Sequence, residues 1–385
     1  MTMTTQARRQ VSSVLLTVLF LLLALLANMG CQHIGPKTVV DDRLAYNEKI
    51  LTSWEQQTLL NIVRVRYDDL VNFVDVSGVT QTHTRQDNIS ATLMASLLPW
   101  HIHQDTISPS LTGGRMTTDS PVITYTPLTS AEFTRNLNAP LRPSQIFNLI
   151  ESGYKPEILL KLTLYSVNEI TSTSKDADRS EPQYPLHLRW TSGDTFIKLM
   201  KAIKCAYGHS GDLNFLVQPA ADSKEDRVFM VISDKDSEEA CNDGRPRPVD
   251  YIRESLHLGA ATNQFEIVPG SRPRNENEIA VRTRSVIAAM IWLSNYVDLP
   301  SSEISELNIR PNVGPVPDRP LTVEVDAQPE RRSDALAAVH YRKHWFSIPQ
   351  DRPNSKSSLI YLRILLALAD TGPKPPLPAL TIPTR

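Results

Sequence analysis

Apolar positions along the chain change period several times, and those changes outline the elements. Val11–Ala27 is apolar and broken only by Ser12, Ser13 and Thr17. From Arg43 to Tyr67, Leu44, Leu51, Trp54, Leu59, Ile62 and Val63 recur at helical spacing, with Asp41 or Asp42 as cap. Phe73–Thr84 is rich in Val and Thr and reads as strand, with Gly78 as a candidate bulge. Asn88–Leu98 is a second strand candidate, His101–Asp119 a loop turning at Gly113-Gly114, and Val122–Tyr125 a short strand. Thr129-Ser-Ala-Glu132 has the form of a capping box, with Leu128 and Phe133 as its staple, so a helix is expected there. Further helices are expected over Pro143–Glu151 and Ile158–Ile170.

Thr171–Pro185 is polar, charged and proline-punctuated, and is read as a boundary. Beyond it, strands are expected at Leu186–Trp190, Phe215–Gln218, Val228–Ile232, Phe265–Val268 and Glu278–Thr283. Helices are expected at Asp194–Ala206, Val249–Leu256 and Ser285–Val297. A proline-rich link at Ile309–Arg319 precedes strands at Leu321–Val325 and Leu336–Tyr341, with Trp345–Ile348 completing a hairpin and Ser355–Ala369 a final helix. Strands and helices mix without strict alternation. The expected class is α+β, with mixed, largely antiparallel sheets and packed helices, open to division into two subdomains. The parsing is 1–30 leader, 31–40 tether, 41–172 N-terminal region, 173–185 linker, 186–372 C-terminal region and 373–385 proline-rich tail.

Composition changes this picture little. Of 385 residues, 41% are apolar, and Lys plus Arg is 40 against 42 for Asp plus Glu. A near-neutral chain offers no basic face for nucleic acid. Twenty-eight prolines against 14 glycines favour stiff loops and punctuated elements.

The amino terminus does change it. Arg8 and Arg9 precede the apolar run, and Gly30 precedes Cys31, the order of an export signal. The arrangement resembles the lipobox of bacterial lipoproteins, in which the cysteine thiol is acylated after cleavage. Asn28 stands where that motif has an aliphatic residue, and Met29 where it has a small one. The competing reading is an uncleaved anchor, since the 19 residues Val11–Met29 approach the ~20 that cross a bilayer. Gln32 after the cysteine, in place of the Asp of inner-membrane retention, implies the periplasmic face of the outer membrane. The membrane partner would then be reached through lipid at Cys31.

Cys205 and Cys241 are the remaining thiols. An oxidising compartment favours their pairing, and the loop they close is worth about 3–4 kcal/mol. Neither belongs to a Cys-x-x-Cys motif, so no zinc or redox centre is expected.

Candidate chemistry is sparse. Gly208-His-Ser-Gly-Asp212 lacks the final glycine of a nucleophile elbow and is expected to be a turn that ends a helix. Ser172-Thr-Ser-Lys175 matches Ser-x-x-Lys but lies in polar linker. His101 with His103 would share one strand face without a third ligand; His340 and His344, if on one strand, spread over ~13 Å. Neither pair predicts a metal. Arg64, Arg66, Tyr67, Asp68 and Asp69 crowd a helix end, and are read as a partner or anion site, or as a salt-bridged helix cap. No catalytic residue and no cofactor are assigned.

Several segments carry a resemblance. Tyr46-Asn-Glu, Ser53-Trp-Glu, Leu59-Leu-Asn-Ile-Val-Arg64 and Arg66-Tyr67 resemble the opening of a family of bacterial envelope lipoproteins without an assigned chemistry. So do Ile123-Thr-Tyr-Thr-Pro-Leu128 with Glu132-Phe, Glu151-Ser-Gly, Tyr341-Arg342 with His344-Trp-Phe, and Ser355-Lys-Ser-Ser. Pro353 and Asn354 stand where the family has acidic residues. The resemblance implies export and lipidation and brings no activity. The leading expectation is a lipid-anchored envelope protein that binds a protein partner or scaffolds a complex. The alternatives are a periplasmic hydrolase of envelope polymer or lipid, and a carrier of lipid or a small ligand.

Overall fold

The computed structural model describes residues 36–94, 108–172, 194–208, 211–219, 226–233, 247–313, 319–326 and 334–370. It is α+β, with three sheets among these residues. The chain divides into two compact units, Met1–Leu51 with Val79–Thr124, and Thr52–Gly78 with Tyr125–Arg385.

The second unit holds a six-stranded sheet. Its strands are β3 (Leu164–Val167), β4 (Ile170–Thr171), β5 (Leu213–Gln218), β6 (Arg227–Ile232), β7 (Gln264–Pro269) and β8 (Glu278–Thr283), in the order β4-β3-β8-β7-β6-β5. All neighbours are antiparallel except β7 and β8, which run parallel from Glu266 opposite Glu278 to Pro269 opposite Val281. Strands on both sides of the expected linker 173–185 share this sheet; the linker itself, and Leu186–Trp190, lie outside the described residues. Helices α2 (Ala131–Asn138), α3 (Pro143–Glu151), α4 (Pro156–Thr163), α5 (Asp194–Gly208), α6 (Pro248–Leu256), α7 (Val286–Ser294) and α9 (Pro353–Ala369) pack on it and on one another. Phe147, Leu159, Phe196, Phe265, Trp292, Phe346 and Leu362 are among the buried side chains of one continuous core. A three-stranded sheet, β9 (Glu324–Asp326), β10 (Ala335–Tyr341) and β11 (His344–Pro349), adds to that core through Phe346 and Ile348.

Helix α1 (Pro36–Arg66) begins earlier than expected, and its apolar face is buried only in part. Leu59, Ile62 and Val63 are fully buried, whereas Leu44 is 64% exposed. Helix α2 is capped one residue later than the capping box implied: Ser130 Oγ accepts from the Phe133 amide at 3.0 Å. Helix α7 starts as expected, with Ser285 Oγ accepting from the Ala288 amide.

The expected helix Ile158–Ile170 breaks at Leu164 and becomes β3. The cause is Arg284. Its backbone amide donates to Thr163 O at 2.7 Å, and its Nη1 donates to the carbonyls of Lys161, Leu162 and Leu164. Those are the carbonyls a helix end leaves without partners, so a cation satisfies the end of α4 in a buried setting. Nη2 donates to Ser172 Oγ at 2.6 Å, and the guanidinium lies 4.9 Å over the Trp292 ring. Burial lowers its pKa to about 9, so it is still charged at neutral pH.

Strands β1 (Val74–Met94) and β2 (Ser108–Pro127) form a separate two-stranded sheet. The described part of the expected loop His101–Asp119 is therefore strand from Ser108 onward. The pattern hid this because Pro109, Gly113, Gly114 and Pro121 read as turn and loop.

Candidate functional site

The charged end of α1 is the best-built polar site among the described residues, and it lies wholly within the second unit. The helix closes with Asp68 amide to Val65 O at 3.1 Å and Asp69 amide to Arg64 O at 2.8 Å. Asp68 takes φ 58°. These two bonds around a left-handed residue make a Schellman closure, with aspartate where glycine is usual. The turn sends successive side chains in different directions.

Arg66 goes inward and is 1% exposed. Its Nε donates to Val297 O at 2.9 Å, and its Nη2 to Arg310 O at 2.8 Å and Asn312 Oδ1 at 3.1 Å. Burial, reinforced by the Arg310 charge, lowers it to about 10. Arg310 in turn donates to Asn295 Oδ1 at 2.6 Å and lies 3.7 Å from Asp68 Oδ1. Arg64 remains on the helix flank and reaches Asn61 Oδ1 at 3.5 Å. Residues Ile309–Val313, expected as linker, thus form part of a clamp around the helix end.

Tyr67 and Asp69 face the β10–β11 hairpin. Tyr67 OH donates to Glu303 Oε2, and His344 Nε2 lies 3.2 Å from Glu303 Oε1. Glu303 comes from α8 (Ser301–Leu307), a short helix that the apolar pattern did not mark. Burial, and then the bond to Glu303, push the Tyr67 hydroxyl well above the ordinary phenol range. Asp69 Oδ2 accepts from Tyr341 OH at 2.6 Å and from Arg342 Nη2 at 3.1 Å. The Tyr341 bond, more than any other influence, holds this carboxyl below its usual range.

The hairpin turn explains how three distant residues reach that point. Tyr341 pairs with His344, so Arg342 and Lys343 alone form the turn, and Arg342 takes φ 52°. A left-handed arginine is strained. Its guanidinium lies 4.7 Å over the Tyr67 ring while also binding Asp69, which offsets that strain. Tyr67 packs between Tyr341 at 5.5 Å and Phe346 at 6.1 Å, the latter edge-on at 89°.

Of the five residues expected at this site, Arg66, Tyr67, Asp68 and Asp69 all meet partners from residues 295–344, and Arg64 does not. Glu303, Arg310, Asn312, Tyr341, Arg342 and His344 complete the cluster. The helix-end salt bridges expected for a cap are present, extended by a second layer of aromatic and histidine contacts. Chemically the arrangement is a clasp. Its acids are Asp69 and Glu303, and each is engaged by the chain itself.

The other candidates fall elsewhere. His340 and His344 lie on opposite strands of the hairpin, not spread along one, with His340 beside Trp345 at 5.4 Å. His101 and His103 lie outside the described residues. Among the described residues no group of three or more His, Cys, Asp or Glu is placed to hold a metal. Ser172 is buried as the acceptor for Arg284; Lys175 is outside the described residues. Helix α5 ends at Gly208 and β5 begins at Leu213, the helix-to-strand order expected of a turn. Cys205 is disulfide-bonded, and its partner lies outside the described residues, as do Cys31 and Cys241. No helix among the described residues is long and apolar enough to cross a membrane.

No family model, curated protein or solved structure matches the chain.

Proposed function

We propose that the chain is an exported bacterial envelope protein, tethered to the periplasmic face of the outer membrane through lipid at Cys31, whose body binds a protein partner. The observation that carries the export reading is the disulfide at Cys205. Disulfides persist in oxidising compartments and are rare in reducing ones. On this reading its mate is Cys241, which staples the segment after β6 to α5. The leader with Arg8, Arg9 and the apolar run to Ala27 supports the same route.

A lipid anchor suits such a body. One acyl chain gives only reversible binding, and two or more make residence durable. The folded part then needs no membrane-binding surface of its own. The clasp of Tyr67, Asp69, Glu303, Arg342 and His344 serves this reading as a lock that fixes the α1 end against the β10–β11 hairpin.

The test is metabolic labelling with a radioactive fatty acid in cells that make the wild type and Cys31→Ala. Label and outer-membrane fractionation are expected for the wild type alone. Absence of label, or label retained by Cys31→Ala, overturns the tether. Separately, alkylation of denatured protein without reductant should leave Cys205 and Cys241 unmodified; modification of both overturns their pairing.

A further inference from the structure

The clamp around the end of α1 holds more positive charge than its carboxylates balance. The guanidinium groups of Arg66, Arg310 and Arg319 meet there, and among the described residues Asp68 and Asp298 answer them. Asp298 is taken by Arg319, whose Nη1 donates to Oδ2 at 2.7 Å and Nη2 to Oδ1 at 3.3 Å. Asp68 Oδ1 stands 3.7 Å from Arg310 Nη2, beyond hydrogen-bond range, and its side chain is 52% exposed. The remaining acceptors are neutral. They are Val297 O, Arg310 O and Asn312 Oδ1 for Arg66, and Asn295 Oδ1 and Val65 O for Arg310. Both asparagines are fixed with oxygen toward the arginines, because Asn312 Nδ2 donates to Leu299 O at 2.7 Å and Asn295 Nδ2 to Ile291 O at 3.0 Å.

Burial lowers both Arg66 and Arg310. The carboxylates that act against it are Asp298 and Asp68 on Arg66, and Asp68 on Arg310. Arg66, at about 10, stays charged at neutral pH. Each of the two arginines also keeps one buried nitrogen, Arg66 Nη1 and Arg310 Nε, without a hydrogen-bond partner among the described residues. Arg66 is itself 1% exposed. A buried donor left unsatisfied is costly, and more so on a charged group; a buried cation without a counter-charge adds to that cost. A water molecule would answer the donor and leave the charge as it was. An anion answers both.

We propose that Arg66 Nη1 holds a chloride-sized inorganic anion, which supplies the missing negative charge of the clamp. A single-atom anion is the class that suits the place. Arg66 is buried and the Arg310 side chain is 11% exposed, so neither head is offered to the carboxylate of a partner chain or the phosphate of a lipid. The Arg310 charge, which acts on Arg66, holds the ion as well. A ligand that binds the folded state alone stabilises it in proportion to the logarithm of its concentration once the site fills. The clamp that joins α1 to Asn295, Val297, Arg310 and Asn312 is therefore tighter in chloride than without it. Neither export nor lipidation enters this inference, and its failure would leave both untouched.

The test uses full-length protein in detergent, with gluconate replaced stepwise by chloride at fixed ionic strength so that screening stays constant. The urea midpoint is expected to rise with chloride. The folded-to-unfolded ratio should grow about a hundredfold when chloride reaches about a hundred times its dissociation constant. Arg66→Met should abolish that rise. Asp68→Asn removes a competing carboxylate, and asparagine tolerates the left-handed conformation of residue 68; it should shift the rise to lower chloride. Crystals grown in bromide should show an anomalous peak against Arg66 Nη1. If Arg66→Met does not fold, Asp68→Asn and the bromide crystals decide. A wild-type midpoint indifferent to chloride, a rise kept in full by Arg66→Met, a rise not moved to lower chloride by Asp68→Asn, or bromide crystals without that peak overturns the proposal.

Discussion

The six-stranded sheet and the base of the ribbon meet the same requirement, that backbone donors and acceptors find partners, by different means. The sheet ends at one side in β4, only two residues long, and the helices packed on it share one core with it. Its difficult point is internal, the break between α4 and β3, and there Arg284 supplies the missing donors. The ribbon runs 21 and 20 residues, and its base is held by amide side chains from α1, Asn61 on Asn72 and Gln57 on Val74.

The sharpest break in that comparison comes from Arg284→Met. It leaves the Lys161, Leu162 and Leu164 carbonyls and Ser172 without their donor inside the core. A loss of about 3–5 kcal/mol is expected from the group of unsatisfied buried acceptors. Urea unfolding followed by fluorescence would show it as a lower midpoint at unchanged slope. A shift of under 1 kcal/mol would mean that the helix break does not rest on this side chain.

Asn61→Leu acts at the base of the ribbon. Asn61 Nδ2 donates to Asn72 O at 2.7 Å and its Oδ1 accepts from Asn72 N at 3.1 Å. Losing both should cost about 2 kcal/mol and speed amide exchange from Asn72 to Val76, with α5–α7 unaffected. Tyr67→Phe removes the donor to Glu303 while keeping the ring contacts, and about 1 kcal/mol is expected from urea midpoints. The smallest effect is a pH dependence. Asp69 has a folded pKa below its unfolded value, so its contribution is present above the unfolded value near ~3.9 and fades as pH falls through the lower, folded one. Asp69 is partly exposed, so the step is small. Asp69→Asn should flatten the acid limb of a stability–pH curve; an unchanged limb would remove Asp69 from the account.

Legibility in the sequence followed the same division. Strands β6 and β8 and helices α3 and α7 were readable because a buried face imposes a period, as in Val228–Ile232 and Ser285–Val297. The break at Leu164 was not, because its cause is an arginine 120 residues away in the chain. Most of β2 was hidden because Pro109, Gly113, Gly114 and Pro121 read as turn, and α8 because none of its residues is buried. Half of the polar cluster stood out as Arg66 to Asp69. The other half was dispersed over Glu303, Arg310 and Tyr341–His344, and only the tight Tyr341–His344 turn, with its aromatic and basic residues, signalled a second contact surface.

Residue-resolved amide exchange of Arg284→Met tests most directly whether that one side chain holds the join between α4 and β3. Protection is expected to fall across Lys161–Val167, while Asn72 and Val74 at the base of the ribbon keep the protection given by Asn61 and Gln57. Unchanged protection across Lys161–Val167 would contradict it.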